Sequence, residues 1–188
     1  FGKILTGVAM KTPYADTHII KGDTLGMAQL GGSVISTFSC GKVFSSNLAP
    51  HSADVLVVME QSEVLRPGFL ELLKPDGIII LNEYSALPIN AKKEEYPEIE
   101  SIQNVLDQYK IINVNAHQIA LDMNDRSGIS TNVIIIGLLS MINPFSKIPT
   151  EIWQSAILEL SPNDLIKSMN LSAYLKGREL FQNRKVTA

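Results

Sequence analysis

Continuous runs of apolar residues predict the strands of a buried parallel sheet. Residues 54–59 and 77–81 are apolar almost throughout, which is typical of strands covered on both faces. Between them, residues 62–74 carry apolar positions at helical spacing, so the whole stretch is predicted to be a βαβ unit. Residues 111–115 form a third run of this kind and follow a predicted helix near 98–109.

Helical spacing covers much of the remaining chain. Residues 130–141 are apolar on nearly every side, which predicts a helix that is buried all round. The other predicted helices are 1–10, 115–121, 150–160 with Thr150 as a candidate N-cap, and 162–182. Residues 87–97 contain two prolines and a charge run, so they are predicted to be a solvated loop.

Two short β-branched segments predict an antiparallel addition to the sheet. Residues 17–21 form one strand candidate and residues 33–39 the other. Gly41 and Lys42 are predicted to connect the second of these strands to residues 43–45 as a hairpin. The predicted fold is therefore α/β, a Rossmann-like three-layer domain whose sheet is mostly parallel with an antiparallel hairpin.

Composition narrows the class of protein. A chain of 188 residues with 45% hydrophobic residues fits a single domain that can bury its own core. A net charge of -3 and a pI near 5.6 argue against a nucleic-acid binder, which needs a concentrated basic face. Neither a membrane-spanning run nor a signal peptide is visible, so we expect a cytoplasmic protein that does not associate with membranes.

The reactive side chains form no recognisable catalytic or metal-binding set. His18, His51 and His117 lie far apart and have no partner at metal-ligand spacing. Cys40 is the only cysteine, which excludes a four-cysteine cluster held by this chain alone, and we interpret it as an inert thiol. Motifs of nucleophile elbows, phosphate loops and zinc proteases are absent. We therefore predict no catalytic and no metal-ligating residue.

Polar residues at element ends are the remaining candidates for a binding site. Glu60 and Asn82 follow two predicted strands at the carboxyl edge, where open α/β sheets bind ligands. A carboxylate at this position can equally cap the next helix. Asn132, near the head of the buried helix, can cap backbone groups or reach a ligand, and capping is the favoured interpretation.

A glycine pair marks a second candidate surface. Gly31 and Gly32 remove two side chains and permit positive φ, which allows either a plain turn or close approach of another molecule to the backbone. The residues singled out in this stretch are Gly26, Met27, Gln29, Gly31, Gly32 and Ser33.

The same stretch resembles a motif of a known family. Residues 25–34 are similar to the His-Gly-Met-Ala-Gln-Arg-Gly-Gly-Ser-Val segment of the small (beta or gamma) subunit of 2-oxoacid:ferredoxin oxidoreductases, in particular the indolepyruvate branch. Further segments resemble the family in the same order along the chain: 1–5, 53–60, 72–82, 132–137 and 170–177. Leu25 and Leu30 depart from the family's His and Arg, and leucine cannot pair with a phosphate or carboxylate as arginine does.

The resemblance implies a subunit of a complex and not an enzyme on its own. It implies oxidation of a 2-oxoacid with coenzyme A to acyl-CoA and carbon dioxide, with electrons passed to ferredoxin, in anaerobic metabolism. Thiamine diphosphate, Mg and 4Fe-4S clusters would belong to partner subunits, and coenzyme A would lie at the interface near residues 26–33. The family's first strand and glycine-rich loop would precede Phe1. The residues alone leave open a free-standing nucleotide-binding Rossmann-like domain and a structural assembly subunit.

Overall fold

The computed structural model describes residues 1–23, 34–86, 96–125 and 128–184. The chain divides into two compact units, which we describe separately. The sheet unit comprises Gly22–Ser36 and Asn47–Asn115, and the helical unit comprises Phe1–Lys21, Thr37–Ser46 and Ala116–Ala188.

The apolar runs of the sheet unit form a parallel sheet, as predicted. Its strands are β3 (Ala53–Val58), β4 (Leu73–Asn82) and β5 (Lys110–Val114), with β4 in the centre. Val58 of β3 pairs with Leu81 of β4, and Asn82 of β4 pairs with Val114 of β5, so all three strands end at one edge. Buried side chains from β3 and β4 pack with Ile102 and Leu106 of the helix α2 (Ile99–Leu106).

The predicted helix between β3 and β4 is wrong. The segment contains two short 3₁₀ helices, Gln61–Leu65 and Leu70–Leu72, and β4 already begins at Leu73. Pro67 supplies no backbone N–H, and Gly68 has a positive φ of 76°, so an α-helix cannot continue through this pair. The segment has apolar residues at helical spacing although it is not an α-helix, because Val64 and neighbouring side chains pack into the core.

An antiparallel pair of strands is present, but residues 36–41 pair with residues 18–23 and not with residues 43–45 as predicted. Strands β1 (His18–Asp23) and β2 (Ser36–Gly41) pair with each other. The Ser36 hydroxyl donates to Asp23 Oδ1 at 2.6 Å at one end, and the backbone N–H of Gly41 donates to Thr17 Oγ1 at 3.2 Å at the other. Residues 43–45 form no strand, because the positive φ of Gly41 (109°) ends the extended backbone at that point. The α/β class, with a parallel sheet and an antiparallel pair, is confirmed.

Of the six α-helices in the described residues, five lie in the helical unit and match the predicted helices closely. They are α1 (Gly2–Ala9), α3 (Ala116–Asp122), α4 (Ser130–Leu139), α5 (Thr150–Leu160) and α6 (Asp164–Arg184). The predicted N-cap role of Thr150 is wrong, because Thr150 is the first helical residue and Pro149 occupies the cap position. No helix in the described ranges is both long and apolar enough to cross a membrane.

The core of the helical unit is built around α4, which packs against α6. Every side chain of α4 except that of Asn132 is buried, which explains its lack of a polar face. Gly137 and Gly177 lie at the crossing of the two helices: a Cβ at Gly177 would lie 1.9 Å from the carbonyl oxygen of Ile134. The two backbones therefore approach more closely than any larger residue would allow.

Candidate functional site

The carboxyl edge of the parallel sheet contains a network of hydrogen bonds centred on Glu60. Glu60 follows β3 in extended conformation and caps the 3₁₀ helix Gln61–Leu65, with Glu60 Oε2 accepting from the Ser62 backbone N–H at 3.1 Å. The Ser62 hydroxyl donates to the same oxygen. Glu60 Oε1 accepts from the Ala86 backbone N–H at 3.3 Å and from the Tyr96 hydroxyl. We call Glu60, Ser62, Ala86 and Tyr96 the Glu60 cluster.

The Glu60 cluster joins three parts of the sheet unit through one carboxylate. Glu60 comes from the end of β3, Ala86 from the chain that follows β4, and Tyr96 from the chain that precedes α2. Burial is the largest cause that raises the pKa of the Tyr96 hydroxyl. The hydrogen bond to Glu60 raises the pKa further because ionisation would break it, and repulsion between a tyrosinate and the Glu60 carboxylate acts in the same direction. Tyr96 therefore acts as a neutral donor to Glu60. Both oxygens of Glu60 accept hydrogen bonds from this chain, so the carboxylate holds these segments together.

Asn82 occupies the same edge but is almost wholly buried, with 1% of its surface exposed. Its Nδ2 donates to the carbonyl oxygen of Met59 at 2.9 Å, which fastens the end of β4 to the end of β3. The next residue, Glu83, is exposed, and its backbone N–H donates to the Val114 carbonyl at 2.8 Å. Asn82 thus positions the strand ends, while the Glu83 carboxylate is the more accessible of the two side chains.

The structure corrects the favoured interpretation of Asn132. Asn132 lies inside α4, is exposed, and makes no capping hydrogen bond. The buried Asp125 supplies the cap instead, since its Oδ2 accepts from the Ser130 backbone N–H at 2.6 Å. A carboxylate at this end of a helix is also favoured by the helix dipole. Asn132 belongs to the helical unit, whereas Glu60 and Asn82 belong to the sheet unit.

The glycine-pair residues lie outside the described ranges. Gly26, Met27, Gln29, Gly31, Gly32 and Ser33 fall between residues 23 and 34, so their predicted role remains a prediction from sequence. The same holds for Leu25 and Leu30.

The described residues contain no cluster of three or more His, Cys, Asp or Glu side chains that could hold a metal ion. Cys40 is partly buried in β2. Nδ1 of His51 lies 3.3 Å from the Leu73 carbonyl oxygen, the contact of a histidine used in structure. Sequence reasoning identified Glu60 but missed Ser62 and Tyr96. The serine two positions after a strand-end carboxylate was a readable capping signal, whereas nothing local indicated that Tyr96 returns to Glu60.

These observations describe an α/β protein in which polar side chains link the strand ends at the carboxyl edge of a parallel sheet. The pyruvate ferredoxin/flavodoxin oxidoreductase family model matches residues 1–180. The chain belongs to this family.

Two curated relatives and one solved structure extend the comparison. The chain is 32% identical over 142 residues to indolepyruvate oxidoreductase subunit IorB of Archaeoglobus fulgidus, covering 72% of this chain and 66% of that protein. It is 28% identical over 178 residues to the IorB subunit of Methanothermobacter thermautotrophicus, covering 93% and 86%. The gamma subunit of a keto/oxoacid ferredoxin oxidoreductase from Geobacter sulfurreducens shares the fold, with a TM-score of 0.63, 15% identity and coverage of 97% and 89%.

Proposed function

We propose that this chain is the small subunit of an indolepyruvate-like 2-oxoacid:ferredoxin oxidoreductase and is active only together with its partner subunits. The observation that carries this proposal is the family match over residues 1–180, joined by two relatives that are both named as subunits of indolepyruvate oxidoreductase. The proposal further treats residues 1–188 as a single gamma-type domain of that family.

The proposed reaction is the oxidative decarboxylation of a 2-oxoacid. The bond between the carboxylate and the 2-oxo carbon breaks and carbon dioxide leaves, while a bond forms between the acyl carbon and the sulfur of coenzyme A. The two electrons released reduce ferredoxin, and the thiol proton is released to solvent. Thiamine diphosphate in a partner subunit supplies the carbanion stabilisation that this cleavage needs.

The donor set of this chain fits a division of labour between subunits. A 4Fe-4S cluster requires about four cysteine ligands. This chain has one, Cys40, which lies in a strand of the two-stranded sheet. The cysteine count supports placing the iron-sulfur clusters in the partners, and the resemblance to the family implies the same for thiamine diphosphate and Mg. Glu60 and Asn82 then act as positioning residues that fix the strand ends of the sheet unit.

The glycine-pair segment is proposed, from sequence alone, as the surface that meets the catalytic partner and coenzyme A. Side-chain-poor backbone allows another molecule to approach closely, which is the property this assignment uses. We expect this segment to contact coenzyme A through backbone amides. Positions 25 and 30 are leucines, and a leucine side chain offers no charge to a phosphate.

The test is to isolate the chain with its partner subunits and to assay the complex. We expect thiamine and iron to copurify with the chain and dye reduction to require indolepyruvate, coenzyme A and both subunits. Pyruvate and 2-oxoglutarate serve as comparison substrates. Acceptor reduction by the isolated chain, or tight binding of a dinucleotide by it, would contradict the proposal and favour a free-standing domain.

A further inference from the structure

We draw no further inference here: the strongest candidate, the amino end of α4, where the buried Thr131 hydroxyl has no hydrogen-bond partner among the described residues and lies with the His117 ring beside Gly128, carries nothing, because that hydroxyl is closed off from solvent and the Asp125 carboxylate already caps the helix there.

Discussion

The crossing of α4 and α6 and the carboxyl edge of the parallel sheet solve opposite packing problems. At the crossing, two glycines bring backbones together, and the side chains of Ile134, Leu138 and Tyr174 beside them are fully buried. At the sheet edge, a half-buried carboxylate holds three chain segments that would otherwise end in solvent. The close packing of the helices depends on two residues without a side chain, whereas the sheet edge depends on the hydrogen bonds of one carboxylate.

This difference determines how strongly a substitution in each region should reduce stability. A close helix crossing cannot absorb even one methyl group, because the neighbour it would strike is backbone. A hydrogen-bond network loses stability in smaller steps, since water can replace part of what a removed group supplied. The helical unit should therefore break by overpacking, and the sheet unit should loosen gradually.

The largest effect is expected for Gly177→Ala. The added Cβ would lie 1.9 Å from the Ile134 carbonyl oxygen and 2.9 Å from the Leu138 nitrogen. We expect a loss of about 3 kcal/mol or more in the free energy of unfolding, well above the gain of about 1 kcal/mol from alanine's better helix propensity. Urea unfolding followed by circular dichroism measures it.

Ser172→Ala is the matched control for this prediction. Ser172 is exposed on the same helix, so alanine there should be neutral or slightly stabilising. A Gly177→Ala protein as stable as the Ser172→Ala protein would show that α4 and α6 do not cross as closely as described.

The next effect is expected for Glu60→Ala in the sheet unit. The change removes a helix cap and leaves the Tyr96 hydroxyl and the Ala86 N–H without their acceptor. We expect a loss of about 2 kcal/mol in the free energy of unfolding. Glu60→Gln keeps one acceptor oxygen and should lose about half as much, measured by the same urea unfolding.

A catalytic role for Glu60 predicts a different pattern. Glu60→Gln would then abolish turnover in the assembled complex while leaving its stability close to that of wild type. With a positioning role, turnover should fall in parallel with stability.

The strands and most helices were predictable because their signals are local. An apolar run such as 77–81 can be buried in only a few ways, and the all-apolar 130–141 pattern indicates a helix with no solvent face. The helix predicted over 62–74 was wrong because apolar residues continue at helical spacing beyond the point where the Pro67–Gly68 pair ends helical backbone geometry. In this segment the proline and glycine predict the backbone conformation better than the apolar spacing does.

The site was less predictable because its contacts join residues distant in sequence. The position of Glu60 at the sheet edge could be predicted from the strand that precedes it. Its hydrogen bond with Tyr96 joins residues 36 positions apart, and no pattern in the sequence indicates such a contact. Similarly, the partner of β2 proved to be β1, not the nearby 43–45 segment, because Gly41 ends the strand where a hairpin would have turned. Pairing between distant segments depends on tertiary packing, which the pattern of a single segment does not contain.

A smaller effect, and one that depends on pH, is expected for Tyr96→Phe. At pH 8 the loss of the hydrogen bond to Glu60 should cost about 1 kcal/mol. The pKa of Tyr96 is raised above 10.0 in the folded protein, so the folded state retains this proton at pH values where the unfolded chain has lost it. The stabilisation is therefore complete below about pH 10 and is lost as pH rises through the folded pKa.

Stability measured against pH checks this sign. The difference between wild type and Tyr96→Phe should be constant from pH 7 to about pH 9 and should shrink above pH 10. In Glu60→Gln, the ultraviolet titration of tyrosinate should show one tyrosine ionising at lower pH than in wild type, because part of the cause of its raised pKa has been removed. A difference that grows with pH would contradict the assignment of Tyr96 as donor.

The smallest effect on stability is expected at the head of α4. Asn132→Ala removes an exposed side chain that makes no cap, so the free energy of unfolding should change by less than about 0.5 kcal/mol. Asp125→Asn weakens the true cap and should cost about 1 kcal/mol. Thermal unfolding of the two variants side by side distinguishes these roles. If Asn132→Ala leaves stability unchanged but lowers turnover in the assembled complex, the exposed amide contacts a ligand or partner, since it makes no hydrogen bond to any described residue.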